Sequence, residues 1–278
     1  MSMRARSASS VAFVLALAAL PAWSAKAEPI RAVYSVRGGG LQVMRVEAVL
    51  DLDTAGRYSI RALWRTTGVA RLFGGADFSG SAEGRWAGGA ARPVRYAVDG
   101  SWRGEPRRTV LEYPSGQPVM RIRLPESDPE REPVPEALRR GTMDQFSAIA
   151  QLTRVIAETG RCDGRASVFD GTRRVEMQAR TVGRDRIFPW STAWHGEALR
   201  CAFTGRQTAG FRRDASDAER EREPKEGIAW MAPPRPGDVP IPVRLEVPSR
   251  LFGALTIYLM EVGPAALPSR QAANSAAN

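Results

Sequence analysis

The 278-residue chain holds 40 Lys and Arg against 30 Asp and Glu, for a formal charge of +10, with two cysteines and one histidine. One histidine and two cysteines leave too few ligands for a zinc ribbon or a multi-histidine metal centre. Two cysteines that are not C-x-x-C also argue against dithiol redox chemistry.

The N-terminus reads as an export signal. Arg4 and Arg6 precede an unbroken apolar run, Val11 to Leu20, followed by Pro21 and the small-residue pattern Ala25-Lys26-Ala27. This predicts cleavage between Ala27 and Glu28 and delivery to the periplasm. The run is short of the roughly 20 apolar residues that span a bilayer, and no later segment is long enough, so no membrane span is expected after cleavage. About 250 residues would remain, carrying a charge of about +7. Nearly all of that charge is Arg, the only lysines being Lys26 and Lys225. No nucleic-acid module is present, and neither a cofactor nor a metal ligand set is expected.

From residue 28 the pattern is one of period-two alternation. Met44, Val46, Ala48, Leu50 and Leu52 alternate with Arg45, Glu47, Asp51 and Asp53, and Tyr58, Ile60, Ala62 and Trp64 with Arg57, Ser59, Arg61 and Arg65. Val175, Met177 and Ala179 do the same, as do Val243, Leu245 and Val247. Antiparallel strands with one dry and one wet face are expected there. Further strands are expected near 30–37, 77–87, 92–103, 107–113, 117–124, 165–170, 197–211, 227–232 and 252–262. Gly38-Gly39-Gly40, Gly88-Gly89, Asp99-Gly100, Ser115-Gly116 and Asp170-Gly171 supply turn chemistry between them.

One helix is expected over 142–160. Thr142-x-x-Gln145 has the form of a capping box, with Met143, Phe146, Ile149, Ala150, Thr153 and Ile156 following at helical spacing and Gly160 placed to end it. So apolar a helix needs cover, and the concave face of a curved sheet supplies it. Residues 125–141 and 212–224, rich in Pro or charge, read as exposed loops, and the tail 263–278 as disordered. The fold class is therefore mainly β: one large, strongly curved antiparallel sheet, an open barrel or β-spiral, wrapping a central helix in a single domain over 28–262.

Cys162 and Cys201 are an even pair in an exported chain, which reads as one disulfide worth roughly 3–4 kcal/mol; two buried thiols are the alternative. Asp77 and Glu83, six apart on one strand, share a face and are the carboxylate pair on which a hydrolase would rest. Asp144 falls in the first helical turn, where a carboxylate suits the helix dipole, and Asp163 and Asp170 precede glycines as turn residues. His195 is expected at a strand start as an ordinary surface or half-buried histidine, and Gly80-Ser81-Ala82-Glu83-Gly84 does not match a nucleophile elbow. Trp64, Trp86, Trp102, Trp190, Trp194 and Trp230 either pack the core or line an apolar groove which, rimmed by arginines, would suit an acyl chain with an anionic head.

A set of short stretches, taken in order, resembles the bacterial family called domain of unknown function 3108. They are Ala32-Val33-Tyr34-Ser35-Val36, Gly68-Val69-Ala70-Arg71-Leu72-Phe73, Arg92-Pro93-Val94-Arg95-Tyr96 and Gly141-Thr142-Met143-Asp144. Gly160-Arg161-Cys162-Asp163-Gly164, Phe169-Asp170-Gly171-Thr172-Arg173-Arg174 and Gly196-Glu197-Ala198-Leu199-Arg200-Cys201 continue the series. Pro240-Ile241-Pro242-Val243-Arg244 and Phe252-Gly253-Ala254-Leu255 complete it. The resemblance implies an exported envelope protein with a curved sheet and a Cys162–Cys201 bridge, and it carries no catalytic residue with it. A non-catalytic, monomeric envelope protein that binds or scaffolds a lipid, another apolar ligand or an envelope protein is the expectation. The alternatives are a carboxylate-based hydrolase and a module that docks a partner on a sheet edge.

Overall fold

A computed structural model describes residues 28–52, 56–249, 252–263 and 265. The export segment with Ala27, and Asp53, lie outside them, as does the tail 263–278 apart from Gly263 and Ala265. Thirteen strands follow the alternating segments. The first seven are β1 (Ile30–Gly38), β2 (Leu41–Asp51), β3 (Arg57–Thr66), β4 (Ala76–Ala87), β5 (Ala90–Trp102), β6 (Glu105–Glu112) and β7 (Val119–Leu124). After helices α1 (Glu136–Arg139) and α2 (Gln145–Thr159) come β8 (Gly164–Phe169), β9 (Arg174–Ile187) and β10 (Gly196–Ala209). Helix α3 (Ala215–Arg222) precedes β11 (Lys225–Ala232), β12 (Ile241–Ser249) and β13 (Gly253–Gly263).

All thirteen strands form one sheet in the order β7-β6-β5-β4-β3-β2-β1-β13-β12-β11-β10-β9-β8, every neighbour antiparallel. Its edges, β7 and β8, are not hydrogen-bonded to each other, so the barrel stays open. Side chains draw the edges together instead: Phe169 at the end of β8 packs in one cluster with Tyr96 and Leu111 of β5 and β6. The period-two pattern fixes which face is dry. In register, Ile30, Leu50, Ile60, Ala82, Tyr96 and Leu111 form one continuous inward row across six strands, all buried.

Helix α2 leaves the β7 side of this sheet, lies on β3, β4 and β5, and leads into β8. Ser147, Ala150 and Thr153 are fully buried on it. Glycine makes that approach close: a Cβ on Gly80 would stand 2.9 Å from both Phe146 and Trp64, and one on Gly84 would stand 2.2 Å from the Tyr58 ring. The small residues of Gly80-Ser81-Ala82-Glu83-Gly84 thus make room for aromatic rings.

Three expectations need correction. The helix is capped by Asp144, whose Oδ1 accepts from the Ser147 N–H at 2.9 Å, and not by Thr142. Thr142 gives its hydroxyl to the Arg139 carbonyl at 2.6 Å, and Met143 is taken up by a parallel bridge to Val168 on the outer edge of β8. The helix therefore begins two residues later, and Ile149 faces outward. Residues 212–224 are not a loop: Asp214 caps α3 by accepting from Asp217 N–H at 3.0 Å. Residues 125–141 are ordered by Val134, which is buried, and by Arg131. The Arg131 guanidinium forks onto both Glu221 oxygens at 2.9 and 3.0 Å, and also donates to the Gly210 carbonyl. Burial alone would raise the Glu221 pKa, but Arg131 and the Arg212 N–H outweigh it and hold it below the usual glutamate value. Arg131→Ala is expected to cost about 2 kcal/mol, since charge-assisted, half-buried bonds are lost. Limited proteolysis should then cut first within 212–224.

Candidate functional site

Two polar or aromatic constellations stand out, one inside the sheet and one outside it. Inside, the Tyr58 hydroxyl donates to Ser147 Oγ at 2.7 Å, and Ser147 Oγ donates to Asp144 Oδ2 at 2.6 Å. Burial pushes the Asp144 carboxyl up to about 6, opposed in part by its bonds from Ser147. Burial also raises the Tyr58, Tyr96 and Tyr113 hydroxyls, with the nearby Asp144 charge adding to it. Each of these groups is enclosed by α2 and the strands beneath it, so the constellation has the character of a polar core that fixes the start of the helix.

The outer constellation is built by register. Ser35 of β1 pairs with Tyr258 of β13, Tyr258 with Arg244 of β12, Arg244 with Trp230 of β11, and Trp230 with Arg200 of β10. Paired residues share a face; Ser35 and Trp230 in this row are buried, and Trp230 joins the cluster of Leu259 and Val243. The β9–β10 connection, Phe188 to His195, folds back over this row. It is pinned by Trp194, whose N–H donates to the Leu259 carbonyl at 2.8 Å and whose indole donates to the Pro234 carbonyl at 3.3 Å.

A continuous stack results. Arg37 lies 5.3 Å over the Trp190 ring, Trp190 sits 4.6 Å from Tyr258, and Arg244 lies 5.5 Å from Tyr258 and 4.9 Å over Trp230. Such cation–π contacts favour a guanidinium held against an aromatic face. Beside the stack is a cleft of about 510 Å³, lined by Arg186, Phe188, Trp190, Trp194, Trp230, Arg244 and Tyr258 among others. Asp185 is engaged by the Trp230 indole at 2.8 Å and by Arg200 at 3.6 Å, and Arg244 is paired with Glu246. Phe188 remains 75% exposed at the rim. The arrangement offers aromatic faces for apolar or planar groups and guanidinium donors for an anion.

The other residues flagged by sequence are dispersed. Cys162 and Cys201 form a disulfide with Cα atoms 5.9 Å apart, joining the segment after α2 to β10, both sulfurs buried. Asp77 and Glu83 lie on the outer face of β4: Asp77 is paired with Arg65 at 3.3 Å, and Glu83 is exposed. Neither lines a described cavity. His195 is exposed just before β10. Asp170 accepts from the Thr172 and Arg173 N–H groups within its own turn, whereas Asp163 accepts from the Thr181 N–H of β9, 18 residues away. Among the described residues no group of three or more His, Cys, Asp or Glu could hold a metal ion. No described helix is long and apolar enough to cross a membrane. Trp190, Trp194 and Trp230 were legible as groove candidates. Arg186, Arg244 and Tyr258 were not, although Arg244 stands opposite in phase to the apolar Val243, Leu245 and Val247.

Residues 33–260 match the family model described as "Protein of unknown function (DUF3108)". No curated protein matches the sequence. In fold, the chain is similar to a β-barrel-like protein of the domain of unknown function DUF1849 from Brucella abortus, at 12% identity and a TM-score of 0.51, over 85% of this chain and 98% of that one. A second structure, titled as a "putative lipoprotein" from Parabacteroides distasonis, aligns at 10% identity and a TM-score of 0.37, over 86% and 96% of the two chains.

Proposed function

The chain belongs to the DUF3108 family, and from that membership we propose that it is a non-catalytic binding protein of the bacterial envelope, working in the periplasm. Its ligand is an apolar molecule with an anionic head, held in the cleft between Trp190, Trp230 and Arg244. The carrying observation is the aromatic–guanidinium stack beside the cleft, with Trp190 exposed, Arg244 and Tyr258 half-buried and Trp230 buried beneath Arg244, set against a concave face already occupied by α2. A lipid carrier that uses the concavity needs that face free, so the binding role moves to the outer face. The buried disulfide supports an oxidising compartment. The signal pattern at Ala27 and Glu28 supports export.

Dodecyl phosphate below its micellar concentration is a suitable probe, because the cleft's tryptophans report on their own occupancy. Saturable quenching of tryptophan fluorescence is expected. Dodecanol should bind roughly tenfold more weakly, for want of a charge-assisted bond. Trp190→Ala should weaken the phosphate ester by a similar factor. Equal binding of alcohol and phosphate ester would remove the anion from the reading, and no saturable binding would remove the site.

A second reading rests on β7. It is an edge strand beside a cavity of about 480 Å³ lined by Arg121, Arg123, Arg139 and Phe169, where an added strand could pair. Arginines on the strand and Pro125 at its end are also the devices that discourage such pairing, so the cleft is preferred.

A further inference from the structure

Four connections meet at the end of the sheet where β1 turns into β2. The Thr67 N–H donates to the Val43 carbonyl at 3.0 Å, which ties the 3-10 turn Gly68–Phe73 to the start of β2 beside Leu41. At its other end, the Arg103 N–H donates to the Gly75 carbonyl at 2.8 Å, tying the same turn to the β5–β6 hairpin that carries Trp102. Phe252 of the β12–β13 connection lies against Gly38. This rim presents large apolar side chains to solvent: Leu72 is 84% exposed, Val69 and Leu41 more than half, and Trp102 nearly so. Soluble surfaces seldom gather such groups without a use for them.

The charges around them are one-sided. Arg71 and Arg103 are exposed, without a carboxylate partner among the described residues, and Arg103 lies 5.8 Å over the Trp102 ring. Glu105 is the acid at the hairpin tip.

We propose that this rim docks the protein on an anionic phospholipid surface, with Leu41, Val69, Leu72 and Trp102 entering the interfacial layer and Arg71 and Arg103 meeting the phosphates. The shape selects a bilayer over a protein. The apolar groups are carried by three separate connections, β1–β2, β3–β4 and β5–β6, whereas a protein partner needs a packed, complementary patch. A fluid interface accepts scattered tips, and each adds its own apolar transfer and charge attraction. Tryptophan at such a boundary keeps its ring apolar and its N–H wet. The turn also satisfies its own backbone, the Gly74 N–H bonding the Arg71 carbonyl at 3.3 Å, so shallow entry strands few donors.

Co-sedimentation of the purified protein with vesicles of phosphatidylcholine, alone or mixed with phosphatidylglycerol, tests this. Partition onto the mixed vesicles is expected, with little onto the neutral ones. Leu72→Ser should lower partition roughly tenfold, as loss of one buried large aliphatic side chain would, while Leu72→Phe should preserve it. Replacing Arg71 and Arg103 together by Gln should lower it by tenfold or more, on the mixed vesicles only. The inference stands apart from the cleft, so Leu72→Ser should leave the dodecyl phosphate titration unchanged. Three results would overturn it: no partition of the wild type, partition indifferent to Leu72→Ser, or self-association through Leu72 without vesicle binding.

Discussion

Replacing Cys162 and Cys201 together by alanine is expected to cost about 4 kcal/mol of folding stability. The two cysteines are 39 residues apart, and closing a loop of that length removes about that much denatured-state freedom on the chain-entropy model. In a protein of this size the thermal midpoint should fall by roughly 10 °C. The loss should be concentrated at the end of α2. Ile156 and Leu152 pack in the same cluster as both cysteines, with Leu199, Ala229 and Met231, and the Cys162 N–H is held by Thr181 Oγ1 at 2.8 Å. Hydrogen exchange in the replaced protein should therefore rise first over residues 152–160. Because both sulfurs are buried, reductant should open the bridge of the native protein slowly and that of the unfolded chain quickly. A midpoint unchanged by the replacement would show that packing alone holds this end of the helix.

Asp144→Asn is expected to stabilise the protein at neutral pH by roughly 3 kcal/mol and to remove a pH dependence. The folded pKa, about 6, lies above the ordinary 3.8 because the buried ionised form is poorly solvated, and each pKa unit corresponds to about 1.4 kcal/mol. The sign follows from linkage. A carboxyl with a raised folded pKa contributes stability that is fully present below its unfolded value of 3.8 and is lost as pH rises through about 6. The wild type should gain stability as pH falls from 7 to 4, and the asparagine variant should not. Glu47 and Glu221 act in the opposite sense. Their folded values lie below 4.5, so their contribution holds at neutral pH and is lost only on further acidification. Asparagine keeps an oxygen to cap Ser147 N–H, whereas Asp144→Ala also loses the cap and should be about 1–2 kcal/mol less stable than the asparagine variant. Denaturant midpoints of the three proteins at several pH values check this. Parallel pH profiles would mean that Asp144 is already neutral, or better solvated than its burial implies.

The strands were legible because each writes its face into two-residue alternation, and glycine pairs punctuate them. What local pattern could not supply was partnership. Helix α3 has one buried residue, Ala218, so it shows no apolar period. It is held by Glu221 reaching Arg131, ninety residues away. The cap of α2 moved from Thr142 to Asp144 because Met143 is claimed by Val168, a contact that no capping pattern encodes. The tryptophans of the cleft could be picked out by type. Their arginines could not, because the stack depends on the register of β11, β12 and β13 and on a connection folding back across them. Asp77 and Glu83 do share a face, as their spacing requires, but that face is the solvated one.

The strand order carries one more consequence. Read from β8 through β13 and on from β1 to β7, the sheet is an unbroken up-and-down ribbon in which every strand pairs with the next. Nature has cut that ribbon in the middle and joined its two rims through α1 and α2. The first and last described strands therefore lie side by side at the sheet's centre, with Ala32 opposite Val262. A nascent chain can assemble each hairpin locally, but its keystone seam waits for the last segment to arrive. Until β13 has joined β1, the sheet stays two unfinished halves.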